Sequence, residues 1–350
     1  MIPILRQLDD DTAAVILKFM NFDLTTTAAE WTKPPLLGCY YLTGPTCSGK
    51  TPLAIELAKL LNAEILSLDS MAVYRGMDIG TAKPSLAQQQ IVQHHLIDIA
   101  EPTDSFSVSC FVEAAHACAA EIKGRGKRVL VAGGTPLYLK CLLRGLFIGP
   151  PADWEFRNSI NEDLKVYGPE ALKSRLAQVD PLLAHRLHLH DSRRMIRGLE
   201  VARVTGRPLS HWQEQFENPA PREFAPAAVL RLNRAWLHER INARVERMLA
   251  EGLLAEVEQL LARHGSLGHT AAQAVGYREM LQQIQGVLPV EETTDKIKAH
   301  TRQFARRQEI WFRGLNELEP LTLTPESQVA DMAEHLAKWF NEQMEPVLPA

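Results

Sequence analysis

The chain has 350 residues, of which 46% are hydrophobic and 23% charged, and a formal net charge of −4. That length holds two domains, or one domain with a large insertion, and the acidic balance excludes a globally basic nucleic-acid binder, so any basic surface must be local. No apolar run reaches the roughly 20 residues that span a bilayer, and the N-terminus lacks the basic start and small-residue cleavage site of a signal peptide. The cysteines, Cys39, Cys47, Cys110, Cys118 and Cys141, form no C-x-x-C pair, zinc-site spacing or disulfide framework. A reducing, cytoplasmic setting is expected.

Residues 1–34 do not read as core. Asp9-Asp10-Asp11 and Thr25-Thr26-Thr27 flank a short apolar patch, Val15 to Met20, and a flexible appendage carrying a short helix is expected. Leu36, Leu37, Tyr40, Tyr41 and Leu42 then form a β-prone run. It leads into Gly44-Pro45-Thr46-Cys47-Ser48-Gly49-Lys50-Thr51, which matches the phosphate-loop pattern G-x-x-x-x-G-K-[ST] at every fixed position. A helix pattern follows from Pro52 to Asn62. Strand, glycine loop and helix is the context that confirms this motif, which is shared by ATP-binding and other nucleotide-binding proteins. Backbone N–H groups and the helix N-terminus hold the anion, Lys50 supplies a point charge, and the Thr51 hydroxyl sits on a metal ion.

Ala63 to Leu68 reads as a second buried strand ending at Asp69-Ser70, where an open α/β sheet holds its ligands. A turn role for Asp69 is the alternative. Residues 71–84 look like a long functional loop, His94 to Ile99 like a short strand with a structural histidine pair, and Ser109 to Lys123 like an amphipathic helix. Arg128 to Ala132 is another buried strand. It ends in Gly133-Gly134-Thr135 and not in the magnesium-holding acid expected of a hydrolase or kinase.

The pattern changes near Gly149. Pro150-Pro151 introduces charged helical pieces up to His190, read as an inserted helical subdomain over 150–190. Asp191 to Thr205 is a helix with Arg193, Arg194, Arg197 and Arg203, Val229 to Leu232 a strand, and Arg234 to Glu251 and Leu253 to His264 helices. A last helix runs from Thr293 to Arg313, with Phe304 expected in the core. The expected fold is an α/β P-loop core, a parallel sheet with helices on both faces, in two parts, 35–149 and 191–322, with a C-terminal tail over 323–350. Basic residues recur on several helices of an acidic chain, which favours a local nucleic-acid surface.

The phosphate loop, Asp69-Ser70 and Val73-Tyr74-Arg75-Gly76-Met77-Asp78-Ile79-Gly80-Thr81-Ala82-Lys83-Pro84 together resemble the tRNA dimethylallyltransferase (tRNA isopentenyltransferase) family. So do Gly133-Gly134-Thr135-Pro136-Leu137-Tyr138, Arg194-Met195-Ile196-Arg197-Gly198-Leu199-Glu200-Val201, Gln273-Ala274-Val275-Gly276-Tyr277-Arg278, and Arg306-Arg307-Gln308 through Trp311-Phe312-Arg313. The resemblance covers about Leu37 to Leu315, and the absent zinc finger points to the bacterial type. The chain departs from the family at Ala72 and Arg193, where glutamine is common, at Gly198 in place of alanine, and at Glu309-Ile310 in place of a threonine-containing pair.

The resemblance implies transfer of a dimethylallyl group from dimethylallyl pyrophosphate to N6 of adenosine 37 of tRNA. It implies pyrophosphate in the loop of Gly44 to Thr51, Mg²⁺ on Thr51, and catalysis by Lys50, Asp69, Thr135 and Arg244. It further implies tRNA contacts at Asp69, Ser70, Met71, Ala72 and Thr135, at Arg157, Arg193, Arg194, Met195, Ile196 and Arg197, and at Gln273, Ala274, Val275, Gly276, Tyr277, Arg278, Arg306, Arg307, Gln308 and Arg313. A monomer that grips the anticodon stem-loop is expected. An adenylate isopentenyltransferase acting on free AMP, ADP or ATP, a P-loop kinase of a small metabolite, and a non-enzymatic nucleotide-binding module are the alternatives. The insertion and the basic C-terminal helix favour a macromolecular acceptor.

Overall fold

The computed structural model describes residues 32–214 and 224–344. The appendage expected over residues 1–34 lies outside the described residues up to 31. The strands are β1 (Thr32–Lys33), β2 (Tyr40–Thr43), β3 (Ala63–Leu68), β4 (His94–His95), β5 (Arg128–Gly133), β6 (Leu146–Phe147), β7 (Ala227–Leu232) and β8 (Leu318–Leu323). The helices are α1 (Lys50–Leu61), α2 (Leu86–Ile91), α3 (Val108–Gly124), α4 (Pro136–Arg144), α5 (Trp154–Val179), α6 (Pro181–Arg186), α7 (Ser192–Thr205), α8 (Leu209–Trp212), α9 (Arg234–Ala250), α10 (Leu253–His264), α11 (Tyr277–Ile284), α12 (Val290–Arg313) and α13 (Val329–Gln343).

The chain divides into two compact units. Among the described residues, the larger comprises 35–143 and 224–344, the smaller 32–34 and 144–214. In the larger, a six-stranded sheet runs β4-β3-β5-β2-β7-β8, every pair parallel. Parallel strands covered on both faces read as continuous apolar runs. Successive strand residues point to opposite faces. Ala63, Ile65 and Leu130 pack with α1 and α13, while their neighbours Leu66, Val129 and Val131 are equally buried on the other side. The order of strands reverses at β2, so the carboxyl edge beside it is where open α/β sheets bind ligands.

Three expectations are corrected here. Of the tail expected over 323–350, Val329–Gln343 is a packed helix, α13. Ala333, Leu336, Ala337 and Phe340 of α13 are part of the sheet's core, and Phe340 lies 5.0 Å from the Tyr40 ring. The strand expected over His94 to Ile99 stops at His95, because Leu96 (φ 60°) and Asp98 (φ 57°) turn the chain through left-handed conformations. The insertion is longer than residues 150–190. α7 belongs to the smaller unit, where Met195, Ile196, Leu199 and Val201 share a core with Phe156, Ile160, Leu172 and Leu176 of α5.

In that unit, α5 is two helical segments joined at Gly168 (φ 78°) and Pro169. A Cβ at Gly198 would stand 2.7 Å from Leu183 Cδ2 and 2.9 Å from Leu176 Cδ1. The glycine therefore lets α7 approach α5 and α6 more closely than alanine could, which accounts for this departure from the family pattern. Burial of Glu200 is compensated by Arg157 (2.8 Å) and Arg197 (2.5 Å), and its Oε1 also accepts from the Asp153 N–H. Arginine forks suit a buried carboxylate, which would otherwise be costly to bury.

Candidate active site

Three loops converge at the carboxyl edge of the larger unit's sheet: residues 44–51 after β2, 69–71 after β3, and 134–135 after β5. The phosphate loop turns through Cys47 (φ 63°) and Gly49 (φ 93°) before α1 begins. Left-handed residues of this kind turn backbone N–H groups to one side and form an anion-binding nest. Lys50 folds over the loop, its Nζ donating to Gly44 O (2.9 Å) and Pro45 O (2.6 Å). Burial pushes its pKa down to about 8, with Arg244 adding to the fall and Cys47 and Asp69 opposing it.

Asp69 stands at the tip of β3. Its Oδ1 accepts from the N–H groups of Met71 (2.8 Å) and Ala72 (3.3 Å), so the turn role and the ligand-facing position coexist: Oδ1 makes the Asx turn and Oδ2 takes part in neither bond. Thr135 Oγ1 accepts from the Ser70 N–H at 3.0 Å, tying the two loops together. The N–H groups of Gly134 and Thr135 both donate to Leu68 O at 3.1 Å.

The helix α9 adds two arginines. Arg244 donates through Nη1 to Thr46 Oγ1 (3.3 Å) and through Nη2 to Thr81 O (3.4 Å). Arg240, one turn earlier and not among the expected site residues, donates through Nε to Cys47 O at 2.7 Å. The signal for it was its position four residues before Arg244, which puts both on one helix face.

Several expected tRNA contacts have other duties. Gln308 is buried and bridges the two glycine loops: its Oε1 accepts from the Thr46 N–H (2.8 Å) and its Nε2 donates to Gly134 O (2.6 Å). Met195 and Ile196 are core residues of the smaller unit, and Ala72, Ala274 and Tyr277 are buried in the larger. Arg157 and Arg197 are committed to Glu200, and Arg278 lies on Glu279 and His300. Arg193, Arg194, Gln273, Arg306, Arg307 and Arg313 are exposed, as a contact to a macromolecule requires. Phe304 is 37% exposed, contrary to the expectation of a core residue; Trp311 is 41% exposed and Phe312 is buried. The His94-His95 pair is structural: His94 Nδ1 meets Val92 O at 2.8 Å and His95 Nε2 meets Glu64 at 2.6 Å.

A parallel sheet with a phosphate loop at its topological switch point, flanked by two arginines and one carboxylate, defines a P-loop enzyme that works on a phosphorylated substrate. The model of the IPP transferase family matches residues 72–315. A tRNA dimethylallyltransferase of Rhodopirellula baltica is 51% identical over 288 residues, covering 80% of this chain and 86% of that protein. The crystal structure of a full-length tRNA isopentenylpyrophosphate transferase of Bacillus halodurans superposes with a TM-score of 0.63 at 34% identity, over 87% of this chain and 97% of that one. A eukaryotic dimethylallyltransferase acting on tRNA superposes with a TM-score of 0.73 at 24% identity, over 89% and 81%, a likeness of fold. This chain belongs to the IPP transferase family.

Proposed function

We propose that the protein transfers the dimethylallyl group of dimethylallyl pyrophosphate to N6 of adenosine 37 of tRNA, beside the anticodon, releasing pyrophosphate. The observation that carries this reading is the pairing of a complete phosphate loop with Asp69 and Thr135 at the same sheet edge. The allylic C–O bond breaks, the C–N bond to N6 forms, and N6 gives up a proton. Asp69 accepts a hydrogen bond or proton from N6 through its carboxylate, which makes a weak nucleophile competent. Charge develops on the departing pyrophosphate, and the loop N–H groups, Lys50, Thr135 and Arg244 are preorganised to receive it. Because the base lies in a stacked anticodon loop, it must be extruded to reach the allylic carbon.

Among the described residues no group of three or more His, Cys, Asp or Glu could cage a metal, so an Mg²⁺ ion would enter with the pyrophosphate, and the Thr51 hydroxyl at the start of α1 would be its protein contact. When bound, the ion supplies partial neutralisation of the leaving group. The exposed Arg193 and Arg194 of the smaller unit supply phosphate contacts to the anticodon stem.

Incubation with labelled dimethylallyl pyrophosphate and either tRNA or AMP tests this. Label in tRNA at adenosine 37 is expected. Label in AMP alone would make the protein an adenylate isopentenyltransferase, and ATP turnover without prenylation would make it a kinase.

A further inference from the structure

The long loop after Asp69 is fastened from beneath by a carboxylate that has no part in the reaction proposed above. Glu256, on α10, accepts from three consecutive backbone N–H groups: Asp78 (2.9 Å) and Ile79 (2.8 Å) at Oε2, and Gly80 (3.3 Å) at Oε1. The Tyr277 hydroxyl donates to Oε1 at 2.5 Å. Burial, and then the Glu256 carboxylate, push the Tyr277 pKa well above its usual range, so the phenol stays a donor. Backbone N–H groups gathered on one anion make a rigid nest.

The fit is tight. A Cβ at Gly80 would stand 2.3 Å from the Tyr277 ring, so the loop backbone lies directly on that ring. Lys83, its side chain 4% exposed, pins the far end of the loop to Asp78 (2.7 Å) and Asp98 (2.5 Å). Between these two anchors lies Thr81, whose carbonyl accepts from Arg244 Nη2. The other arm of the same guanidinium, Nη1, reaches Thr46 of the phosphate loop. A continuous set of contacts therefore runs from Glu256 through residues 78–81 to Arg244.

We propose that Glu256 is a positioning residue for the leaving-group arginine: by clamping residues 78–80 it sets the Thr81 carbonyl, and the carbonyl aims Arg244 at the pyrophosphate. A guanidinium turned from its target by an ångström loses much of a bidentate contact, and misplacement on that scale is costly for a preorganised site. This rests on the reading of Arg244 as a pyrophosphate contact.

The test is a double-mutant cycle on the full chain, with Glu256→Ala, Arg244→Ala and the double variant, read as affinity for inorganic pyrophosphate by isothermal titration and as thermal midpoint. Glu256→Ala is expected to weaken pyrophosphate about tenfold in the parent and to add almost nothing once Arg244 is alanine, the non-additivity of residues that act as a unit. An equal loss in both backgrounds overturns the proposal and leaves Glu256 as a stabilising contact, as does no loss at all. If Arg244→Ala by itself leaves pyrophosphate affinity unchanged, the site reading fails first and the proposal fails with it. Should Glu256→Ala not fold, Glu256→Gln and Tyr277→Phe, which keep the volume, replace it in the same cycle with the same outcomes.

Discussion

Lys50 shows how one side chain reports on its surroundings. Its ammonium is buried against the loop carbonyls, and burial holds its pKa near 8 instead of 10.5. In the free protein the charge we assign to pyrophosphate is therefore lost as pH rises through about 8, and pyrophosphate affinity should fall between about pH 7 and pH 9. The stability effect has the opposite sign. The unfolded chain holds this proton more tightly, so the cost of burying the ammonium is fully present below about pH 8 and shrinks as pH climbs toward 10.5. Titration of pyrophosphate against Lys50→Arg, which keeps its charge over this range, isolates the effect: the variant should show a flattened limb, and equal slopes would remove Lys50 from the role. Asp69→Asn keeps the Asx turn, because an amide oxygen can still accept from Met71 and Ala72, but removes the proton acceptor. Single-turnover prenylation should slow by about 10²- to 10⁴-fold, and a rate within a fewfold of the parent would reduce Asp69 to a turn residue. The arginines of α7 should divide by their partners. Arg193→Ala and Arg194→Ala should each flatten the salt dependence of tRNA affinity by roughly 0.7 to 0.9 slope units. Arg197→Ala should leave that slope alone and lower the melting temperature, because its guanidinium serves the buried Glu200.

At the scale of elements, helix ends were the most legible feature. Gly252 (φ 98°) separates α9 from α10 and Gly265 (φ 75°) follows the last turn of α10, as a glycine after the last periodic residue implies. Ser107 and Asp191 accept from the first-turn N–H groups of α3 and α7 as N-caps. Which face of a helix meets a ligand was not legible. On α12, Gln308 directly follows Arg306 and Arg307 in sequence yet is buried against the sheet edge, while Phe304 points out. α13 went unread although Ala333, Leu336, Ala337 and Phe340 recur at helical spacing; what they pack against, the sheet's core, lies far away in the chain. Its weight is measurable. Phe340 is fully buried, and Phe340→Ala should cost about 3 to 5 kcal/mol in urea denaturation. A loss below about 1 kcal/mol would return α13 to the status of an appendage.

For the whole molecule, the division into units fixes where the smaller unit, to which we assign the grip on tRNA, can be removed. Cutting residues 152–189 would strip α5 and α6 from α7 and expose Met195, Leu199 and Val201, which share their core. The consistent cut falls at the unit's own limits, 144 and 218. Its flanks lie close together, since Leu36 N–H donates to Leu142 O and Gly38 N–H to Phe224 O within one short stretch. Loop closure by a modest Gly/Ser linker is therefore inexpensive. A chain starting at Pro35 with residues 144–218 replaced in this way should fold, bind dimethylallyl pyrophosphate, and bind tRNA far more weakly. Undiminished tRNA affinity by isothermal titration would place recognition on the larger unit alone.

The sequence by itself determined the phosphate loop, the α/β class, the strands from 63 to 68 and 128 to 132, the glycine stops at Gly206, Gly252 and Gly265, and the family. These are encoded in contiguous residues, as glycine spacing, apolar runs and capping chemistry that act within a few positions. Only the tertiary structure decided that Gln308 joins Thr46 to Gly134, that Arg157 and Arg197 serve Glu200, that Glu256 holds residues 78–80, and that α7 and α13 belong where they do. Each of these links residues far apart in the chain, and whether a charged or polar side chain meets water, RNA or a buried partner depends on what the fold brings within about 3 Å of it, which no local pattern records.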